Sequence, residues 1–370
     1  MEKTLLIELC NSLNALGGVM PAMPIPEMKA LFEELFSEEE AEIASRMPPG
    51  ALPARDLAEK LSKPVEEILP LLESMADKGT VLTRKKDGVV LYRLLPIMPG
   101  IFEFQFMRGT DTMRDRRLAR LFKIYLEIAS PAVTEMIAAV KGITPFTRII
   151  PVEKTIQAGQ QVYTFDQLSR YIESADDIAV GHCYCRHQAY LLDEETCDAP
   201  RECCMNFGPG ALYTSERGIT RLISKDEAHE ILKACEEKGL VHLSSNTSAF
   251  LEYLCNCCSC HCDLLKKIKE SGSPVWAATS GYLAKVDDDQ CDGCETCVEH
   301  CQLNAITIID AGTAFVNEGH CIGCGACAYL CPVEAISMNP RKDVPTPPGT
   351  ARDLRAAILG DIQRAQSAQK

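Results

Sequence analysis

The chain opens on apolar positions spaced three and four apart, Leu5, Leu6, Leu9 and Leu13, which places them on one face of a helix. A proline-rich break from Pro21 to Pro26 follows, then an acidic helix around Phe32, Leu35 and Phe36. Between Pro48 and Leu95 the pattern predicts two helices and a hairpin. Pro53 opens a helix over 54–61, Ser62 caps a second through Ile68, Leu71, Leu72 and Met75, and Gly79 ends it. Residues 81–84 and 89–94 alternate around Lys86-Asp87-Gly88, as two strands joined by a tight turn do. After a linker at 96–100, residues 114–129 predict an amphipathic helix. Leu118, Leu121, Phe122, Tyr125 and Leu126 face inward and Arg114, Arg116, Arg117, Arg120 and Lys123 outward. Further on, Thr164 caps a helix through Leu168, Tyr171 and Ile172, residues 178–180 form a short strand, and 224–238 are helical. A proline-rich stretch at 341–349 leads to a last helix, capped by Thr350, through Leu354, Ile358 and Ile362.

At 370 residues the chain has room for two or three domains with real cores. Aromatic residues make up only 6%, so those cores must rest on Leu, Ile, Val, Ala and Met. No apolar run reaches the roughly 18 residues that a spanning helix requires. Met1 to Met20 holds Glu2 and Glu8 and lacks a basic region followed by an apolar one, which points to a cytoplasmic protein. There the twenty cysteines are reduced thiols available to metal rather than a disulfide framework. Cys10, alone on the first apolar stripe, reads as a buried residue. The net charge of −14 argues against general nucleic-acid binding.

The most specific signal lies between Asp289 and Pro332. Cys291, Cys294, Cys297 and Cys301 fall as C-x2-C-x2-C-x3-C, and Cys321, Cys324, Cys327 and Cys331 repeat the run thirty positions later. Val286 recurs as Val316 and Ala305-Ile306 as Ala335-Ile336, so the segment is an internal duplication. Three cysteines at spacing two on a tight loop can grip three irons of a cubane, with a distant fourth completing the cage. Paired zinc sites also use C-x2-C, but not two such four-cysteine runs.

This segment resembles a two-cluster bacterial ferredoxin. The resemblance implies two [4Fe-4S] clusters whose fourth ligands are exchanged between the copies: Cys291, Cys294, Cys297 and Cys331 for one, Cys321, Cys324, Cys327 and Cys301 for the other. One departure stands out. Pro332 follows Cys331, but Gln302 follows Cys301. From Tyr282 to Pro340 nine acidic residues face Lys285 alone, a surface suited to a basic redox partner or simply to solubility.

The cysteines from Cys183 to Cys262 form the second informative group. Cys183, Cys185, Cys197, Cys204, Cys255, Cys257, Cys258, Cys260 and Cys262 are the candidate metal ligands, enough for one or two further iron–sulfur clusters. A structural zinc site using Cys183, Cys185 and His187 with later cysteines is the alternative. His182, His187 and His261 are read as packing or hydrogen-bonding residues, and adjacent cysteines cannot easily face one cubane. Residues 54–94 resemble a winged helix-turn-helix, but Glu66, Glu67, Glu73 and Asp77 on its second helix would repel phosphates.

From about Leu57 to Pro332 the chain resembles a family of anaerobe iron–sulfur proteins. The matching positions are Cys183, Cys185 and Arg186; Cys197, Pro200 and Cys204; and Cys255, Asn256, Cys257, Cys258 and Cys260, with His261 where a further cysteine is common. The fold expected is α+β and multidomain. It comprises a helical and winged-helix-like part (1–100), a linker with the basic helix (101–163), a Cys-rich central domain (164–275), a ferredoxin-like 2[4Fe-4S] domain (276–340) and a proline-rich linker with a terminal helix (341–370).

The function expected is one-electron relay through the ferredoxin clusters to or from the central site, as a component of an anaerobic oxidoreductase. With no G-x-G-x-x-G after a strand and no P-loop, a flavin or other two-electron cofactor would belong to a redox partner protein. The terminal helices are candidate oligomer contacts. A reductase with a substrate-binding central cluster and a redox-sensing winged-helix regulator are the other readings.

Overall fold

The computed structural model describes residues 1–140, 142–156, 163–194, 197–272, 276–342 and 344–368. It is a mixed α/β structure of two units. One comprises residues 1–138, 187–196 and 212–221, the other residues 139–186, 197–211 and 222–370.

The first unit begins with α1 (Lys3–Ala15), α2 (Pro26–Leu35) and α3 (Glu38–Arg46). Leu6, Leu9, Leu13, Met28, Leu31 and Phe32 are buried from them, as is Cys10, whose thiol burial pushes up to about 11. A two-residue strand β1 (Leu52–Pro53) leads into α4 (Ala54–Leu61), α5 (Val65–Asp77) and the hairpin β2 (Val81–Lys86) and β3 (Val89–Leu94). The hairpin turns on Asp87 and Gly88, with φ of 51° and 76°, the doubly left-handed turn that Asp-Gly favours. Ser62 does not cap α5. It takes φ 53° and ends α4, with its own N–H donated to Glu59 and that of Lys63 to Ala58, so the last carbonyls of α4 gain partners. α5 then starts after Pro64, whose missing N–H costs nothing at a helix start.

After α6 (Phe102–Phe106) comes the long helix α7 (Met113–Ala139). Its inward face buries Leu118, Phe122 and Tyr125 as expected. Acids of its own unit neutralise much of its basic face. Arg116 contacts Asp111 at 2.7 Å and Asp193 at 3.0 Å, Arg117 meets Glu34 at 3.0 Å and Lys123 meets Glu194 at 2.6 Å.

In the second unit the strands are β4 (Thr147–Ile150), β5 (Ile178–His182), β6 (Glu202–Phe207), β7 (Arg221–Ile223), β8 (Val241–Ser245), β9 (Tyr253–Cys257) and β10 (Ala277–Ala278). They form one sheet in the order β10-β4-β8-β9-β6-β5-β7. Its helices are α8 (Leu168–Ser174), α9 (Tyr184–Leu191), which carries the chain into the first unit, α10 (Pro209–Glu216), α11 (Lys225–Glu237) and α12 (Asp263–Ser271). Ile150, Leu168, Ile172, Val180, Met205, Phe207, Leu232 and Leu254 make the core between α8, α11 and the sheet. Thr164 opens a single 3-10 turn rather than capping α8. The α8 N-terminus is held instead by Glu153, whose carboxylate accepts from Ser169 N–H at 2.9 Å and Oγ at 2.7 Å. Asp166, in that turn, pairs with buried Arg148 at 2.9 Å and accepts from Gly281 N–H at 2.9 Å. Burial outweighs both partners and pushes its carboxyl up to about 6.

The duplicated segment folds as β11 (Tyr282–Val286), α13 (Thr296–His300), β12 (Ile306–Ile308), β13 (Ala314–Val316), α14 (Ala326–Tyr329) and β14 (Ile336–Pro340). Its strands pair across the copies. β11 of the first copy lies against β14 of the second, with Val286 opposite Ile336, and β12 lies against β13, with Ile306 opposite Val316. The turns repeat at the same offset. Gly293 and Gly323 both have φ 73°, Glu295 and Gly325 have 65° and 81°, and Asn304 and Glu334 have 52° and 55°. The last helix, α15 (Ala351–Ala368), buries Leu354 and is tied to the body of this unit by Asp361, which accepts from Thr144 N–H at 2.8 Å.

Candidate metal centres

Crossed strand pairing decides which thiols share a space. One cavity in the duplicated segment is lined by Cys291, Cys294, Cys297 and Cys331, and a second by Cys301, Cys321, Cys324 and Cys327. Each cavity takes three cysteines from one copy and one from the other, the sets expected for exchanged ligands. Four convergent thiols per cavity fit a cubane in donor number and type.

The two cavities differ in their surroundings. Cys294 is exposed, and Asp292 and Glu295, both exposed, line the first cavity with it. The second is set against the central sheet: Val241 of β8 is part of its wall, and Val152 N–H donates to the Cys324 carbonyl at 2.9 Å. Burial pushes the Cys324 thiol up to about 12, and Cys301 and Cys327 also upward, whereas Cys297 of the outer set reaches about 11. Such thiols are protonated near neutrality, so iron must displace their protons. N–H groups also point at ligand sulfur: Ala305 donates to Cys301 Sγ at 3.2 Å and Ala314 to Cys291 Sγ at 3.4 Å, a recognised control on cluster potential.

Gln302 now has a physical account. Its Oε1 accepts from Ser259 N–H at 2.8 Å and its Nε2 donates to the Gly239 carbonyl at 3.2 Å. Ser259 sits between Cys258 and Cys260. Where the second copy has proline, the first copy uses a side chain to fasten the Cys301 turn to the central cysteines.

Most of those central cysteines fall into two sets. Cys183, Cys185, Cys262, Cys257, Cys255 and Cys204 lie near enough in a closed ring for each thiol to shift the proton affinity of the next and the last that of the first. Proton affinity alternates around it. Contact with their two neighbours pulls Cys183, Cys262 and Cys255 down, Cys255 to about 6, and pushes Cys185, Cys257 and Cys204 up. Strand pairing builds the ring: Cys204 on β6 is opposite Gly181 of β5, and Cys255 and Cys257 lie two apart on β9 and so share a face.

The second set is Cys197, Cys258, Cys260 and His261, whose ligand atoms all lie within 4.8 Å of one another. Adjacent cysteines thus part company, Cys257 to the ring and Cys258 to this group. Cys204 likewise joins the ring, while Cys203 takes a 2.8 Å hydrogen bond from Arg186 Nη2. Arg186 of the C-x-C-R motif also donates to Cys258 Sγ at 3.6 Å and to the Asn256 carbonyl at 3.2 Å, a buried cation placed among thiols. Asn256 fastens the strands, donating to the Cys203 carbonyl at 2.6 Å and meeting His242 Nδ1 at 2.7 Å. His187 is not with the cysteines. Its Nε2 lies 2.8 Å from the Thr110 carbonyl in the first unit, and it is not among the residues whose ligand atoms converge for a metal. The histidine that does join a donor set is His261, whose place among three thiols was not apparent from spacing.

Among the described residues, no helix is long and apolar enough to cross a membrane. Residues 284–338 match a family model described as a 4Fe-4S dicluster domain. No curated protein matches the chain. The match and the convergent thiols support an iron–sulfur protein, with a Cys-rich central region able to bind further metal.

Proposed function

We propose that the chain is an electron-transfer protein, or the electron-transfer subunit of an oxidoreductase, with a direction built into it. When bound, [4Fe-4S] clusters supply one-electron transfer. The residues of the chain set the order. Cys294, Asp292 and Glu295 put the outer thiol set at the acidic surface, where a basic redox partner, the carrier of any two-electron cofactor, would dock. Exposed Phe315, Ile309 and Val333 add an apolar element to that surface. The inner set, with Cys301, faces the central region, and the six-thiol ring offers the site for a further iron–sulfur cluster.

The observation that carries this reading is the Gln302 bridge, which joins the Cys301 turn to the peptide between Cys258 and Cys260. A regulator that reads DNA is less well supported, since Glu66, Glu67 and Asp77 stand exposed on α5.

Two measurements test the proposal. Iron and acid-labile sulfide in the anoxically purified chain should exceed the eight irons of two cubanes. Oxidation of the reduced chain by a small basic haem protein should slow as salt rises, and Asp292→Asn with Glu295→Gln should flatten that dependence. Zinc without sulfide, or a salt-independent rate, would overturn it.

A further inference from the structure

Cys197, Cys258, Cys260 and His261 have a geometry that the electron-transfer reading does not use. Cys197 Sγ lies 3.7 Å from Cys258 Sγ, and His261 Nδ1 lies 3.8 Å from Cys197 Sγ and 3.7 Å from Cys258 Sγ. Donors around one tetrahedral zinc, with sulfur at about 2.3 Å and nitrogen at about 2.0–2.1 Å, stand about 3.8 Å apart for two sulfurs and about 3.6 Å for sulfur and nitrogen. The three edges among Cys197, Cys258 and His261 agree with that tetrahedron, and the Cys260 thiol lies within 4.8 Å of all three. Thiolates around a cubane each sit on a different iron and stand further apart, so these edges match a single ion better than a cluster.

The chain fixes three of the four donors on one short turn. Cys262 N–H donates to the Cys258 carbonyl at 3.1 Å and closes it, and Gln302 holds the peptide of Ser259 from outside. The fourth donor, Cys197, accepts a hydrogen bond from Ala199 N–H, the kind of outer contact that orients a ligating thiolate. Three thiolates around a dication leave one negative charge, and the Arg186 guanidinium beside Cys258 offsets it. Cys260 is exposed and Cys197 half-buried, which leaves the ion a way in.

We propose that Cys197, Cys258, Cys260 and His261 bind a single tetrahedral zinc ion, separate from every iron–sulfur site of the chain, as a structural clasp. All four positions are filled by protein, the mark of a structural rather than catalytic zinc. The clasp ties the Cys197 loop to the turn that continues into ring member Cys262. The claim does not depend on electron relay. A chain whose clusters carry no electrons would still hold the zinc.

The test uses the full chain, purified anoxically. Elemental analysis should find one zinc per chain beside the iron, and zinc X-ray absorption should show three sulfurs at about 2.3 Å and one nitrogen at about 2.0 Å. His261→Cys should keep the zinc while its shell changes to four sulfurs, with iron and sulfide unchanged. Cys260→Ser should weaken retention against a chelator by at least tenfold. The proposal fails if zinc is absent, if the shell in His261→Cys stays at three sulfurs and one nitrogen, or if Cys260→Ser removes iron rather than zinc.

Discussion

Gly323 is the position at which one methyl group should cost the most. Its φ of 73° already penalises any L side chain by about 1–2 kcal/mol. A Cβ there would fall well inside contact distance of the Tyr282 carbonyl oxygen and of Ser280 Oγ. Neither can easily retreat. Ser280 Oγ donates to the Gly323 carbonyl at 2.6 Å, Ser280 N–H donates to Ile322 at 3.1 Å, and Arg341 Nε donates to the Tyr282 carbonyl at 2.8 Å. Opening the contact breaks two or three of these, at about 1 kcal/mol each, so Gly323→Ala should cost about 3–5 kcal/mol. Gly312 supplies the control. Its φ is 82°, but nothing lies within 4 Å of the added Cβ, so Gly312→Ala should cost only the backbone term of about 1–2 kcal/mol. The difference of about 2–3 kcal/mol is roughly a thirty- to hundredfold change in the population of the opened loop. It should appear as faster anoxic bleaching of the visible cluster absorption in denaturant. Magnetic resonance should assign the loss to the inner set, since Gly323 separates Cys321 and Cys324 by way of Ile322. Equal bleaching of the two variants would refute the steric argument.

Three further outcomes follow from the same structure. Cys301→Ala should damage the inner cluster and spare the one held by Cys291, Cys294, Cys297 and Cys331; loss of the outer signal alone would mean each run closes on itself. Gln302→Leu removes the acceptor of Ser259 N–H, so that amide should exchange with solvent about five- to hundredfold faster, for a part-buried hydrogen bond worth about 1–3 kcal/mol. Unchanged exchange would show the bridge to be unimportant. In the first unit, Tyr213 OH lies 3.0 Å from the Ala76 carbonyl and 2.9 Å from that of Val81, and Tyr213→Phe should cost about 1–2 kcal/mol. An unshifted urea midpoint by far-ultraviolet dichroism would count against it.

Signals that repeat locally were legible in the sequence. The cysteine spacing named both ferredoxin runs, and Asp87-Gly88 marked its hairpin, because a turn needs only its own residues. Ser62 reads as a helix start because serine suits one in isolation, yet Pro64 already supplies the start of α5 and the chain needs an end to α4. The split of the central cysteines was beyond reach of spacing. It depends on β9 lying between β8 and β6, which brings Cys255 and Cys257 to Cys204 across fifty residues of sequence. The neutralised face of α7 depends likewise on Glu34, Asp193 and Glu194, which no helical periodicity can place.

The crossed ladders also set a schedule for biogenesis. As the polypeptide leaves the ribosome, Cys291, Cys294 and Cys297 appear first, yet their cavity lacks its fourth wall until Cys331. The other cavity, begun by Cys301, is completed only at Cys327. For some thirty residues of synthesis the nascent segment therefore exposes thiols with no finished cage. Both cages then close within four residues of each other. Assembly factors that deliver preformed clusters would meet either an open segment or one ready for both, with hardly an interval in which a single cluster could be installed alone.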